Sequence, residues 1–282
     1  MKISALTTHH SPLTTHQLFT DIHCHLLPQI DDGPKDWEGS LAMARLAVAN
    51  GIGTIVATPH QLGRYEKNSA QQILEVTAEA QRRITEAGLP LTILPGADVR
   101  VREDMPELVQ TCQVLTLANQ NVYLLMELPH EQVLPMGQLI YELQGQGITC
   151  ILSHPERNQR LQKNPAILRP WVQQGCLIQV TAGSITGQFG REAERVSRLL
   201  LQQNLVHLVA TDAHDATNRP PQWRPAFDKV CRYLGLRRAR KIFFDNPGAV
   251  VNGRPVDAPL PSSLPRIGFA AWFDSALATL RG

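Results

Sequence analysis

Seven short apolar runs rich in β-branched residues recur along the chain and are predicted as strands: Leu18–His23, Thr54–Ala57, Leu91–Leu94, Val122–Met126, Thr149–Leu152, Leu177–Val180 and Val206–Ala210. Amphipathic stretches separate most of them. In the first, Trp37, Leu41, Ala44 and Val48 share one helical face, Asp36 is placed to cap its start and Gly51 stands just past its end. The same stop signal returns at Gly88, Gly147 and Gly175, and Asn204 fills the equivalent place with the other residue that tolerates a left-handed backbone. Helix, stop residue, strand, repeated in this way, predicts parallel strands joined by helices. Seven such units suggest an α/β barrel, closed or nearly closed, rather than an open sheet.

Two ends lie outside the pattern. Residues 1–17 are polar and Thr/His-rich and read as a flexible tail. Residues 18–254 read as a single barrel domain. Residues 255–282 begin with Pro255, Pro259, Pro261 and Pro265 as a linker. Phe269, Trp272, Phe273, Leu277 and Leu280 then share a face of a short helix expected to dock on the barrel or a sister subunit.

Composition narrows the class. With 282 residues and 43% hydrophobic positions, one large core is expected. A net charge of +2 gives no bulk argument for nucleic acid. The charge is uneven, however: nine Lys/Arg between Ala216 and Arg254 face only Asp228 and Asp245, a balance that suits an acidic or phosphorylated substrate if the flank lies near a site. Five cysteines with no C-x-x-C pair suggest reduced thiols and a cytoplasmic protein. No signal peptide and no membrane span are read.

Candidate chemistry follows the strands. After the first come Asp21, His23 and His25, then Asp31 and Asp32; after the second, His60; after the third, Asp98; after the fourth, Glu127; after the fifth, His154; after the seventh, Asp212 and His214. Only the sixth, ending near Thr181, offers none. Parallel strands in a barrel converge their C-terminal ends on one face. Residues two apart, such as His23 and His25 or Asp212 and His214, point the same way. His23, His25, Asp32, His60, Asp98, Glu127, His154, Asp212 and His214 make nine nitrogen and oxygen donors, enough for two or three clustered divalent ions, with Mn, Fe or Zn preferred over Mg or Ca. Cys24 lies between two inward histidines and is expected to face away. His9, His10 and His16 belong to the tail, His130 has no motif around it, and His207 is read as a core residue. Only Cys231 has an arginine six positions on, Arg237, and the bulky Arg-Tyr-Leu-Gly-Leu between them is no phosphate loop, so cysteine-phosphatase chemistry is not expected, and no P-loop occurs.

The motifs Asp21-Ile-His-Cys-His25, Asp31-Asp-Gly33, Ala57-Thr-Pro-His60, Pro95-Gly96, Ser153-His-Pro-Glu-Arg-Asn158, Thr181-Ala-Gly-Ser-Ile-Thr-Gly-Gln-Phe-Gly190 and Ala210-Thr-Asp-Ala-His214 resemble those of the polymerase-and-histidinol-phosphatase (PHP) superfamily. The chain is most similar to its bacterial metal-dependent tyrosine-protein phosphatases of capsule and exopolysaccharide operons. That resemblance implies a distorted (β/α)7 barrel with up to three divalent ions, manganese foremost, held by the nine residues above. It implies Arg157, Asp32 and His60 as catalytic groups and Arg157 with Arg219 as holders of substrate phosphate. The chain departs from the family at Asp98, where glutamate is usual.

The mechanism expected from these residues is attack on phosphorus by a metal-activated hydroxide, with no covalent intermediate. The expected substrate is a phosphotyrosyl protein, and the resemblance implies a tyrosine autokinase of polysaccharide export. A histidinol-phosphate or other small-molecule phosphomonoesterase is the nearest alternative. A non-catalytic metal-binding regulatory protein is the alternative from another class. A homo-oligomer is left open on any of these readings.

Overall fold

The computed structural model describes residues 18–262. The polar N-terminal tail, with His9, His10 and His16, and the stretch with Phe269 and Trp272 expected to be helical lie outside the described residues. The strands are β1 (Phe19–Cys24), β2 (Ile52–Ala57), β3 (His60–Gln61), β4 (Thr92–Pro95), β5 (Asp98–Arg100), β6 (Tyr123–Glu127), β7 (Thr149–Ser153), β8 (Leu177–Thr181) and β9 (Leu208–Ala210). Every strand pair is parallel. The α/β class is therefore as expected.

Two of the seven expected strands are each split. Thr58-Pro59 separates β2 from β3, and Gly96-Ala97 separates β4 from β5. Pro59 at the first break and Pro95, the last residue of β4, supply no N–H to a ladder, so pairing stops there and restarts with a different neighbour. The result is two sheets, ordered β1-β2-β4 and β3-β5-β6-β7-β8-β9, instead of one continuous ladder. His60 and Asp98 thus open new strands rather than ending old ones, and they stand directly opposite each other. Between first and last strands, a parallel bridge joins Cys24 to Ala213. There, Asp212 N donates to His23 O and His25 N to Ala213 O, both at 2.8 Å.

The five stop residues behave as their chemistry requires: Gly51, Gly88, Gly147, Gly175 and Asn204 all have positive φ. Asp36 caps the helix Trp37–Ala49 by accepting from Gly39 N. The buried face of that helix is Ser40, Met43, Ala44 and Ala47, rotated slightly from the expected stripe, so that Trp37, Leu41 and Val48 flank it half-buried.

Along β6 to β9 the inward column changes character with height. Tyr123, Leu125, Ile151, Leu177 and Leu208 form an apolar plug inside the strands. Above them on the same faces come Glu127, Ser153, Gln179 and Asp212, all buried. Alternate residues such as Cys150, Leu152, Ile178 and Val209 pack outward under the helices. Outside β1, Phe19 stacks on Trp223 at 4.9 Å, and Phe227, Phe243 and Phe244 meet Trp223 near edge-on or tilted. Residues 254–262 run back over the body: Arg254 O accepts from Tyr123 Oη and Ser262 N donates to Gln203 O.

The break after β4 is tightly packed. A Cβ on Gly96 would sit 2.7 Å from Val56 Cγ1 and 3.2 Å from Leu117 Cδ2. Gly96→Ala is expected to destabilise the protein by about 1–3 kcal/mol, read as a lower denaturant midpoint. An unchanged midpoint would mean that the break relaxes freely.

Candidate metal centre

The polar tops of the strands converge on one small volume. His23 Nε2 lies 3.2 Å from His25 Nε2, 3.3 Å from Asp212 Oδ1 and 3.7 Å from Asp98 Oδ2. His25 Nε2 lies 3.5 Å from Asp212 Oδ1. His60 Nδ1 lies 3.4 Å from Asp98 Oδ2 and 3.8 Å from Glu127 Oε2, while its Nε2 is 3.6 Å from Asp32 Oδ1. His154 Nε2 lies 3.7 Å from Glu127 Oε1 and 3.9 Å from Asp98 Oδ2. His214 Nε2 lies 3.3 Å from Asp32 Oδ1. All nine sequence candidates are here. They fall into overlapping groups: His25, Asp32, His60 and His214; His23, His154 and Asp212; His23, His25 and Asp98; His60, Asp98 and Glu127.

These spacings suit shared cations better than hydrogen bonds. An N–H···O bond has its atoms about 2.7–3.2 Å apart. Two ligand atoms each about 2.1 Å from one ion, at roughly 100°, lie about 3.2 Å from each other. Asp98 Oδ2 is buried without a hydrogen-bond partner among the described residues, although three imidazole nitrogens surround it. A buried carboxylate oxygen without a donor is costly unless a cation answers it. The donor set, with no thiolate in it, fits divalent metal.

The imidazoles are also held the right way round. His23 Nδ1 donates to Gln179 Oε1 at 2.9 Å, His25 Nδ1 to Asp31 Oδ2 at 2.6 Å and His214 Nδ1 to the Asp212 carbonyl at 3.0 Å. Each bond holds a proton on Nδ1 and makes Nε2 the nitrogen that faces the centre. Asp31 further accepts from His60 N at 3.0 Å and from Gly33 N. Sequence reasoning left Asp31 and Gln179 without a role. The Asp-Asp-Gly stretch was a signal for the first. The second was invisible, because the sixth strand carries no ligand type.

Backbone strain supplies what alternation cannot. Ser153 Oγ donates to Asp98 Oδ1 at 3.0 Å, so Ser153 and the next residue, His154, both face the centre. Consecutive residues of a flat strand point oppositely. His154 manages it with a left-handed backbone, φ 31°; Asp212 is left-handed too, at φ 53°, on a face that alternation already turns inward. Such conformations persist only where surroundings over-determine them, and they gather at functional sites.

Burial sets the protonation states. It lowers His23 and His154, and it lowers His214 to about 4, so all three are neutral and able to ligate. Burial also opposes charge on His25, but the Asp31 and Asp212 carboxylates outweigh it and lift that imidazole to about 10. Burial, then the Asp98 charge, raises Glu127 to about 7. Asp98 and Asp212 stay ionised, because the imidazoles around the first, and the imidazoles and guanidiniums around the second, outweigh their burial.

Asp212 also pairs with two cations. Arg157 Nη1 contacts Asp212 Oδ2, and Arg219 Nη2 reaches the same oxygen at 2.6 Å. Both guanidiniums lie over the Phe189 ring, at 4.5 and 5.4 Å. Gly183 makes room for that ring: a Cβ there would meet Phe189 Cε2 at 2.8 Å. The rest of the basic flank goes elsewhere. Lys229 pairs with Glu194, Arg224 lies over Trp223, and Arg238 donates to the Val206 carbonyl before β9. Arg64 and Arg100, which the sequence did not single out, line the mouth of the centre instead. His207, as expected, is structural: its Nδ1 accepts from Ile178 N.

The comparisons agree with this chemistry. A family model described as capsular polysaccharide synthesis, CpsB/CapC, matches residues 19–252. Tyrosine-protein phosphatase YwqE of Bacillus subtilis is 39% identical over 200 residues, 71% of this chain and 78% of that protein. Tyrosine-protein phosphatase CpsB of Streptococcus pneumoniae is 28% identical over 237 residues, 82% of this chain and 97% of that protein. A crystal structure from work on YwqE and CpsB, described as unique metal-dependent tyrosine phosphatases, superposes with a TM-score of 0.84 at 33% identity, covering 88% of this chain and 100% of that one.

Asp31→Ala is expected to weaken divalent-metal affinity by roughly 10- to 100-fold, because it releases His25 and the His60 backbone together. Metal titration of the folded variant measures this. The His25 proton must leave when metal binds, so affinity should rise with pH between about 6 and 9, by up to about tenfold per unit for each proton displaced. Calorimetry in buffers of different ionisation enthalpy counts those protons, and none released would contradict the assignment.

Proposed function

The chain belongs to the CpsB/CapC family of capsular polysaccharide synthesis, and we propose that it is a metal-dependent protein-tyrosine phosphatase whose centre takes two to three divalent ions, manganese foremost. His25, Asp32, His60 and His214 would hold one ion, and His23, His154 and Asp212 another. Asp98 and Glu127, with His60, offer the third position. Bound ions supply Lewis-acid charge and acidify a water toward neutrality for attack on phosphorus.

The observation that carries the reading is the pair of guanidiniums on the rim of this donor set. Arg157 and Arg219 share one carboxylate oxygen of Asp212, and Arg219 Nε is buried with no hydrogen-bond partner among the described residues. An N–H left over beside a metal centre is a ready donor to a phosphate oxygen. A guanidinium fork matches phosphate geometry, and both forks stand where the equatorial oxygens of a phosphoryl group bound at the centre would gather charge. Asp212 holds them in place until substrate arrives. A tyrosyl leaving group has a pKa of about 10 and needs little protonation, so the centre can be rich in imidazole ligands and still lack a dedicated acid. The names of the relatives support phosphotyrosine as the substrate and capsule or exopolysaccharide synthesis as the setting. We assign the physiological substrate to a tyrosine autokinase of that process. The five free thiols suit a reducing compartment and a cytoplasmic site of action. Among the described residues, no helix is long and apolar enough to cross a membrane.

Chelation should abolish hydrolysis of p-nitrophenyl phosphate and of a phosphotyrosyl peptide, and Mn2+ should restore both. Arg157→Ala should retain metal yet lose roughly 10²- to 10³-fold in kcat/KM, whereas His154→Ala should lose metal and turnover together. A higher kcat/KM for histidinol phosphate than for the peptide would assign the enzyme to small molecules instead.

A further inference from the structure

Beside the donor set lies a cavity of about 410 Å³, within the size range of small-ligand sites. Its floor includes Asp32, His60 and Glu127, and its walls include Tyr65, Pro129 and His130. None of the three wall residues is a metal ligand, and the phosphate-holding role of Arg157 and Arg219 does not use them.

Tyr65 is held with unusual care for a loop residue. Its ring lies over the His60 ring with centroids 5.2 Å apart and planes 18° from parallel. His60 is itself fixed, since its two nitrogens face Asp32 and Asp98. The turn that presents Tyr65 is strained: Leu62 and Gly63 both have positive φ, 66° and 59°, and Tyr65 N closes the turn on Leu62 O at 3.0 Å. A γ-branched residue in that region persists only when other contacts impose it. Asn68 supplies them, donating to Ile30 O and to His60 O at 2.8 Å each, while Gln61 Nε2 donates to Asn68 O. The wall bearing Pro129 and His130 is pinned in the same manner. Asn158 Nδ2 donates to Pro129 O at 2.7 Å and to Gln132 O at 2.8 Å, and Gln159 N donates to His130 O at 2.9 Å. Two loops, each braced by an asparagine, therefore face one cavity that opens on the centre.

We propose that Tyr65, with Pro129 and His130, forms an aryl-binding slot that seats the phenyl ring of the phosphotyrosyl substrate while its phosphate lies at the metal centre. A planar, polarisable ring fits best against another ring or a proline face. An alkyl phosphate such as phosphoserine has nothing to place there. Tyr65 is then a specificity-determining residue, acting on the substrate's ring and not on the metal. The proposal rests on the phosphatase reading, and it adds to that reading the residue that selects the substrate's ring.

Binding separates the two. Phenylphosphonate carries the ring and cannot be hydrolysed; inorganic phosphate lacks the ring. In Mn2+-loaded protein, Tyr65→Ala should weaken phenylphosphonate by roughly three- to tenfold, the size of one aromatic contact. Inorganic phosphate affinity and metal content should stay unchanged, and Tyr65→Phe should bind both as the parent does. The slot is overturned if Tyr65→Ala weakens phosphate as much as phenylphosphonate, which would make Tyr65 a support for His60. It is equally overturned if neither affinity moves, or if Tyr65→Phe matches Tyr65→Ala. Tyr65-dependent phenylphosphonate binding in a protein that hydrolyses no aryl phosphate would keep the slot and remove the phosphatase.

Discussion

An ionised carboxylate buried among nitrogen groups is the constraint on which this site depends. Asp212 is almost wholly buried, yet burial does not neutralise it, because His23, Arg157, His25 and Arg219 all favour its charge. One of its oxygens faces two imidazoles and the other takes two guanidiniums. The proposed metal donors and the proposed phosphate donors are thus tied to the same group. Removing any one partner would leave charge uncompensated in a place with little water, where the cost is several kcal/mol. The elements carrying those partners are held in register by that cost.

The fold bends to meet this constraint. Proline at 59 and glycine at 96 break two strands, and the restarted strands set His60 opposite Asp98. A left-handed backbone at His154 turns inward a side chain that a regular strand would turn out. The bridge between Cys24 and Ala213 brings the first strand's histidines against the last strand's Asp212 and His214. The regular parts of the barrel carry the apolar plug; the irregular parts carry the chemistry. That division is common where strain is kept at a working site.

At Asp98, where the family resembled usually has glutamate, the shorter carboxylate is braced from one side. One of its oxygens receives the Ser153 hydroxyl, and the other alone faces His23, His60 and His154. The carboxylate therefore presents a single oxygen to the centre. Phe189 explains a different stretch, one that the motif comparison singled out without a physical reason. Its ring carries both arginines, and the glycine at 183 exists to let it approach.

Much of this was legible in the residues themselves. Apolar β-branched runs, five left-handed stop residues and ligand types after six strands were local signals, and local signals survive without a structure. The nine donors could be named because each stands beside a strand whose pattern is strong. What the chain alone could not reveal depends on neighbours distant in sequence. Gln179 matters because its strand passes His23, and Tyr65 because a braced turn lays it on His60. The basic flank after Ala216 reads as one patch, but helix packing scatters it and leaves Arg219 at the centre. Residue type and spacing determined which groups were available for chemistry. Tertiary structure decided which nitrogen of each imidazole is bare and which cation meets which carboxylate, because those outcomes are set by angstrom-scale contacts between segments that the sequence keeps far apart.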